Sequence, residues 1–251
     1  MSHTLSLAAL LAVGASLVGC QRDALDPAAT ASLDTNAAQP NTAEGRKIDP
    51  RDFVSVIDNR YFPNKPGTRF IYRGEEDGEP SIAQTDVTRA TKVILGVITT
   101  VIHDQAWVGG DLKEDTFDWY AQDKHGNVWY FGEDVSQIDH GVVLGHQGSW
   151  EAGVNGAIPG FIMKAHPKVG ETYNQELAIG IAEDKAKVVS LDVRIEVPFG
   201  AFRNCLKTYE FTPLAPDLLD EKIHCPGVGF VQGTALLGGN EVLRLVAVQQ
   251  F

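Results

Sequence analysis

Leu191, Val193, Ile195 and Val197 alternate with Ser190, Asp192, Arg194 and Glu196. No other feature of the chain restricts its fold so strongly. A period of two places successive side chains on opposite faces of an extended strand, one buried and one solvated. Similar runs occupy 68–73, 82–95, 98–108, 112–122, 127–132, 172–178, 204–213, 219–225, 229–236 and 241–249. Many are separated by turn-forming residues such as Asp77-Gly78, Gly109-Gly110 and Gly238-Gly239-Asn240,. The 182–189 run reads as strand in preference to a turn or two of helix. Strands at this spacing without long helical patterns predict an all-β, single antiparallel meander, closed as a barrel or stacked as a sandwich. The stretch 132–170, rich in Gly, His and Pro, reads as one long irregular loop with an apolar patch at 158–163, folded over an open edge or mouth of the sheet,.

The segment EDTFDWYAQDKHGNVWYFGED, residues 114–134, sets carboxylates beside aromatic rings. Turning it at Lys124-His125 predicts a hairpin with Gln122 facing Asn127, Tyr120 facing Trp129 and Asp118 facing Phe131. One face then carries Glu114, Thr116, Asp118, Tyr120, Gln122, Asn127, Trp129 and Phe131. The other carries Phe117, Trp119, Ala121, Val128 and Tyr130 and reads as core. Rings flanked by acids and amides suit a small polar or sugar-like ligand, which stacks on apolar surface while hydrogen-bonding. Asp118, Tyr120, Gln122, Asn127 and Trp129 are therefore the expected ligand-binding set. Plain cross-strand pairing on a solvated face explains the same residues.

The N-terminus points to export. An apolar run over 5–18 ends in Leu17-Val18-Gly19-Cys20. It falls short of the roughly 20 residues a membrane-spanning helix needs. Small residues before a cysteine, after such a run, resemble a lipoprotein signal that is removed before Cys20, leaving that cysteine to carry the lipid. Met-Ser-His-Thr lacks the usual positive charge, and an ordinary secretory signal is the alternative reading. Gln21 resembles the residue that directs such proteins to the outer membrane, facing the periplasm. Residues 20–46, poor in large apolar side chains, read as a disordered tether,. The remaining 47–251 are enough for one β domain with a full core,.

Formal charge is −12. Phosphate recognition needs a basic face, so nucleic acid is excluded as a partner. An acidic surface also gives no electrostatic hold on anionic lipid, which leaves the membrane contact to the lipid anchor.

Cys205 and Cys225 flank a hairpin centred on Leu214-Ala215-Pro216-Asp217, which sets them nearly opposite one another. In an oxidising compartment that placement predicts a structural disulfide; a thiol or metal pair is the alternative. His140, His146 and His166 match no zinc spacing,. Glu114, Asp118, Glu176, Glu183 and Asp184 could meet around calcium only if the fold gathers them,. Ser149 lacks the second glycine of a nucleophile elbow, and no phosphate-binding glycine loop is present,. No catalytic residue, metal ligand or cofactor is assigned. A carboxylate hydrolase could draw on Asp118, Glu114 or Glu183, as any acidic β-protein could.

DNRYFPNKPGTRFIYRG, DWYAQDKHGNVWYFGED, GSWEAGVNGAIPGFIMKAHPKVGETYNQE and IAEDKAKV resemble blocks of a family of bacterial secreted proteins and lipoproteins without an established activity. The resemblance implies an exported, mostly β protein and transfers no residue role. The architecture is similar to lipocalin-like barrels by analogy alone. The expectation is a lipid-anchored envelope binding module, with an envelope hydrolase or an assembly scaffold as alternatives. The terminal Phe251 resembles the end of an outer-membrane barrel, but 114–122 has no clean apolar face to turn towards lipid,.

Overall fold

The computed structural model describes Lys47 to Phe251; the signal at 1–19, Cys20 and the rest of the tether lie outside the described residues. After a short 3-10 turn at Pro50–Asp52 the described chain is built from strands. Three short ones come first: β1 (Phe53–Val54), β2 (Ile57–Asn59) and β3 (Phe62–Asn64). Five long ones follow: β4 (Thr68–Glu76), β5 (Glu79–Ile94), β6 (Val97–Val108), β7 (Asp111–Asp123) and β8 (Val128–Asp139). The middle holds β9 (Val142–Gly145), β10 (Trp150–Glu151), β11 (Ile158–Met163), β12 (Thr172–Asn174) and β13 (Glu176–Leu177). A second long set closes the chain: β14 (Lys185–Val197), β15 (Gly200–Thr212), β16 (Ala215–Cys225), β17 (Gly229–Leu237) and β18 (Val242–Gln250).

These strands form an antiparallel meander that is almost closed as a barrel. The order is β12-β14-β15-β16-β17-β18-β4-β5-β6-β7-β8-β11-β13. Strands β18 and β4 pair from Val242↔Glu75 to Gln250↔Thr68, which joins the last strand to the first long one. The two ends of the sheet, β12 and β13, are consecutive in the chain and separated by Gln175 alone. One short segment therefore pairs with β14 before Gln175 and with β11 after it, spanning the seam. Close approach at the seam requires Gly160 on β11. A Cβ there would lie 2.5 Å from the carbonyl oxygens of both Asn174 and Gln175.

The expected irregular loop over 132–170 is corrected. Strand β8 runs on to Asp139 and folds back on β9, while β11 pairs with the first part of β8 as the next barrel strand. The apolar patch does cover an open edge as expected, but as paired strand. Gly and His content concealed this, and a bulge in β8 interrupts the alternation that would have revealed it. The 182–189 run becomes strand from Lys185, after a turn closed by the Ala178↔Ala182 bridge.

Side chains just fill the interior of an eight-stranded barrel, and a sheet of this size leaves more room. The β2–β3 hairpin takes up part of it. It buries Ile57, Tyr61 and Phe62 and is pinned at one end of the barrel. There the Gln122 side-chain oxygen accepts from the Asp58 and Asn59 N–H groups at 2.9 and 2.8 Å, and Gly227 N–H donates to the Arg60 carbonyl at 2.8 Å. Cys205 and Cys225 are disulfide-bonded, with Cα atoms 4.3 Å apart and both residues fully buried. The turn of that hairpin lies at 213–214, slightly earlier than expected, and the strands hold the facing register Leu206↔His224.

Candidate functional site

The β7–β8 hairpin is present, with its register shifted by one residue from the expectation. Gln122 faces Val128, Ala121 faces Trp129 and Tyr120 faces Tyr130. Beyond a bulge, Asp118 faces Glu133. Gly132 makes the bulge possible, since at φ 133° a Cβ would strike the Trp150 carbonyl at 2.3 Å. The extra residue rephases β8, so Tyr130 and Glu133 both join the acids of β7. A shift of one residue exchanges the faces. The Asp118 and Tyr120 face of β7 is the interior of the barrel and is joined there by Tyr130, while Phe117 and Trp119, read as core, lie on the outer face. Phe117 lies exposed on the outside, stacked on His103 at 4.3 Å. Trp119 sits under the Lys92 ammonium, 3.2 Å from its ring centroid.

The five residues expected to bind ligand separate into two groups. Asp118 and Tyr120 are wholly buried in the barrel. Gln122, Asn127 and Trp129 belong to a structural cluster at the turn. Asp123 organises it, accepting from the backbone N–H groups of His125 and Asn127, the Asn127 amide at 2.8 Å and the Trp129 indole at 2.9 Å. Asn127 in turn accepts from Ala165 N–H at 3.0 Å, and the Trp129 ring packs on Phe161 and Phe53. Spacing alone could not separate these roles, because both groups alternate in the same way.

The barrel interior is strongly acidic. One oxygen of Asp118 accepts from the phenols of Tyr120 and Tyr130. Its other oxygen lies towards Asp104, whose own free oxygen is likewise buried without a hydroxyl or N–H donor. Burial first, then the charge of Asp118, hold the Asp104 carboxyl well above the usual carboxylate range. Burial raises Asp118 to about 6, against the pull of its hydrogen bonds. Of these two facing acids, Asp104 is the one whose carboxyl is raised further and keeps its proton. Thr85 donates to the remaining oxygen of Asp104.

A second acid pair stands behind the first. Glu133 and Glu176 are each 1 % exposed; Glu133 has no hydrogen-bond donor at its oxygens, while Glu176 lies towards the Trp150 indole and the Asp184 backbone N–H. Burial, followed by the neighbouring acids (Glu176 against Glu133, Asp184 against Glu176), pushes both well above the ordinary range. Uncompensated buried charge is costly, so both groups sit in the fold as neutral acids. Of the acids weighed for calcium, the interior gathers Glu114, Asp118, Glu176 and Asp184. Glu183 instead accepts from Gly180 N–H in the turn before β14. Among the described residues no group of three or more His, Cys, Asp or Glu side chains is arranged to hold a metal ion. His140 pairs with Asp111, and His146 contacts the Val135 carbonyl.

Beside the acids lies a cavity of about 80 Å³ that opens to solvent. It runs from Phe62 and Asn64 of the plugging hairpin to Ala106 and Glu114 near the far end. Phe70, Tyr72, Ile102, Tyr120 and Phe230 supply most of its wall. Its polar lining is Asp104, Glu114, Gln175, Glu210, Lys222 and His224. Lys222 and Glu210 form a buried ion pair at 2.6 Å. Burial opposes the Lys222 charge, but Glu210 outweighs it and holds the ammonium above its ordinary value. His224 is 5 % exposed and, through burial and then the nearby Lys222, is lowered to about 3, so it is neutral. Glu114 is raised by burial to about 7. Sequence reading missed the cavity because its walls come from strands at both ends of the chain. Phe62, Tyr72, Asp104, Lys222, His224 and Phe230 lie on five different strands.

No protein-family model and no curated protein matches the chain. Among solved structures, a chain described as a "putative lipoprotein" from Parabacteroides distasonis is similar over 76% of this chain and 99% of its own, with 11% identity and a TM-score of 0.40. At that level the likeness carries no argument about function.

Proposed function

We propose that the protein is a binding module of the bacterial cell envelope that takes a small molecule into its barrel. Held by lipid on Cys20, it faces the periplasm from the outer membrane. The reading is carried by one observation: the interior holds an aromatic-walled cavity with a few polar groups fixed by the sheet. That combination of apolar wall and sparse oriented polar groups characterises small-molecule sites. The sequence supports the location through the Leu-Val-Gly-Cys signal and the tether that follows it. The site is moved from the Gln122, Asn127 and Trp129 cluster to the cavity, with Tyr120 retained as a wall and Asp118 behind it.

The test is native mass spectrometry of the full chain, extracted in mild detergent from a bacterial envelope and compared with its denatured mass. A discrete added mass beyond the lipid, lost on denaturation, is expected. Ala83 lines the cavity, and Ala83→Phe, which places a ring in it, should abolish the adduct while preserving the fold. An adduct unchanged in Ala83→Phe would remove the cavity as the site.

A further inference from the structure

We propose that the cavity is built for a cation, a protonated amine or quaternary ammonium carried on a compact apolar body. The inference rests on the reading of the cavity as a binding site and names the chemistry of its occupant. Its first support is an imbalance of hydrogen-bonding character. Lys222, the cationic side chain of the lining, is already paired with Glu210. Glu114 faces the same space with no cationic partner among the cavity residues, and Asp104, an acid that keeps its proton, stands beside it.

His224 is a second, independent observation. It is 5 % exposed, lines the cavity, and its Nδ1 has no hydrogen-bond partner. A neutral imidazole carries one N–H and one lone pair, so this wall adds a polar contact and not a charge. The third observation is the aromatic surface of Tyr72, Tyr120 and Phe230, whose ring faces attract cations, more strongly when water is excluded,. An anionic ligand would hold Glu114, which stands at about 7, in its protonated form, whereas a cation favours the ionised carboxylate and gains a counter-charge. A neutral apolar ligand would leave the Glu114 carboxyl and the imidazole unused. An ammonium with an apolar body uses both Glu114 and the rings.

The test uses the full chain in detergent micelles and three probes of similar size: benzyltrimethylammonium, phenethylamine and the neutral 2-phenylethanol. Isothermal titration should show both cations binding at least ~10-fold more tightly than the alcohol, the ratio that one well-placed charged contact of ~1.4 kcal/mol produces. Glu114→Gln should erase most of that preference while leaving 2-phenylethanol affinity unchanged. Asp104→Asn, which replaces an acid that already keeps its proton, should change the preference less, so Glu114→Gln is the deciding variant. Equal binding of all three probes, blocked by Ala83→Phe, would overturn the cation preference and leave the cavity as the site. Binding that Ala83→Phe does not change, or no binding at all, would overturn both.

Discussion

Tyr120 on β7 stands directly across from Tyr130 on β8, and both phenols donate to the same oxygen of Asp118. The rings stack with centroids 4.7 Å apart, so one cross-strand pair both fills the barrel and solvates its most buried aspartate. Removing one donor should be felt, because a hydrogen bond to an acid in a dry interior is worth more than one at the surface. Tyr130→Phe should lower stability by ~1.5–3 kcal/mol in urea denaturation, with little change in the slope. An unaltered midpoint would show that Asp118 does not depend on the phenol.

The interior acids give stability a direction with pH. In an unfolded chain Glu114 releases its proton near its ordinary 4.5, and in the fold near 7. Asp118 moves from 3.8 to about 6, and Asp104, Glu133 and Glu176 rise further. Between these limits the folded protein holds more protons than the unfolded chain, so stability falls as pH rises. His224, lowered from 6.5 to about 3, works the other way, losing stability as pH falls. One imidazole is outweighed by several acids. The Tm should therefore be higher at pH 5 than at pH 8, and Glu133→Gln should raise stability at pH 8 by ~1 kcal/mol or more while changing little at pH 4. A Tm that rises between pH 5 and pH 8 would contradict this.

The Cys205–Cys225 bond closes a loop across 20 residues. In the chain-entropy account, a loop of that size restricts the unfolded state by ~3 kcal/mol. Replacing both cysteines with serine should cost about that much in denaturant, with the barrel otherwise intact. Intact mass before and after reduction should differ by two hydrogens. The full thiol mass in unreduced protein would reopen metal or redox chemistry at this pair.

Gly160→Ala tests the seam. Its Cβ would press on two carbonyl oxygens that hold β12 and β13 in line, and these belong to the backbone and have little freedom to move away. Hydrogen exchange should quicken across 172–177 and at β11 before it does elsewhere. Equal protection in both proteins would mean that the seam tolerates the methyl group.

The fold was largely legible because its strands keep a strict alternation. Most expected runs overlap a strand of the structure, and the disulfide followed from hairpin geometry. The site was legible only in part. Asp118 and Tyr120 were recognised as polar residues with a purpose, but Trp129 was placed on their face because the turn holds one residue more than the expected register allowed. Glu133 was passed over as one more acid of an acidic hairpin. Lys222 and His224 belong to a run that reads as ordinary strand, and closure of the barrel alone brings them to Asp104. Long-range register is set by packing across the sheet, and a local pattern holds no record of it.

The seam also determines what kind of neighbour this molecule can accept. Open sheets end in rows of unpaired N–H and carbonyl groups, and those rows recruit further strands, whether in filaments or in added peptides. Here Gln175 ties β12 and β13 into one run of chain, so at the seam each border meets the chain's own next strand. Beyond Val188, however, β14 is paired to β15 alone, and that stretch is where an added strand would find free N–H and carbonyl groups.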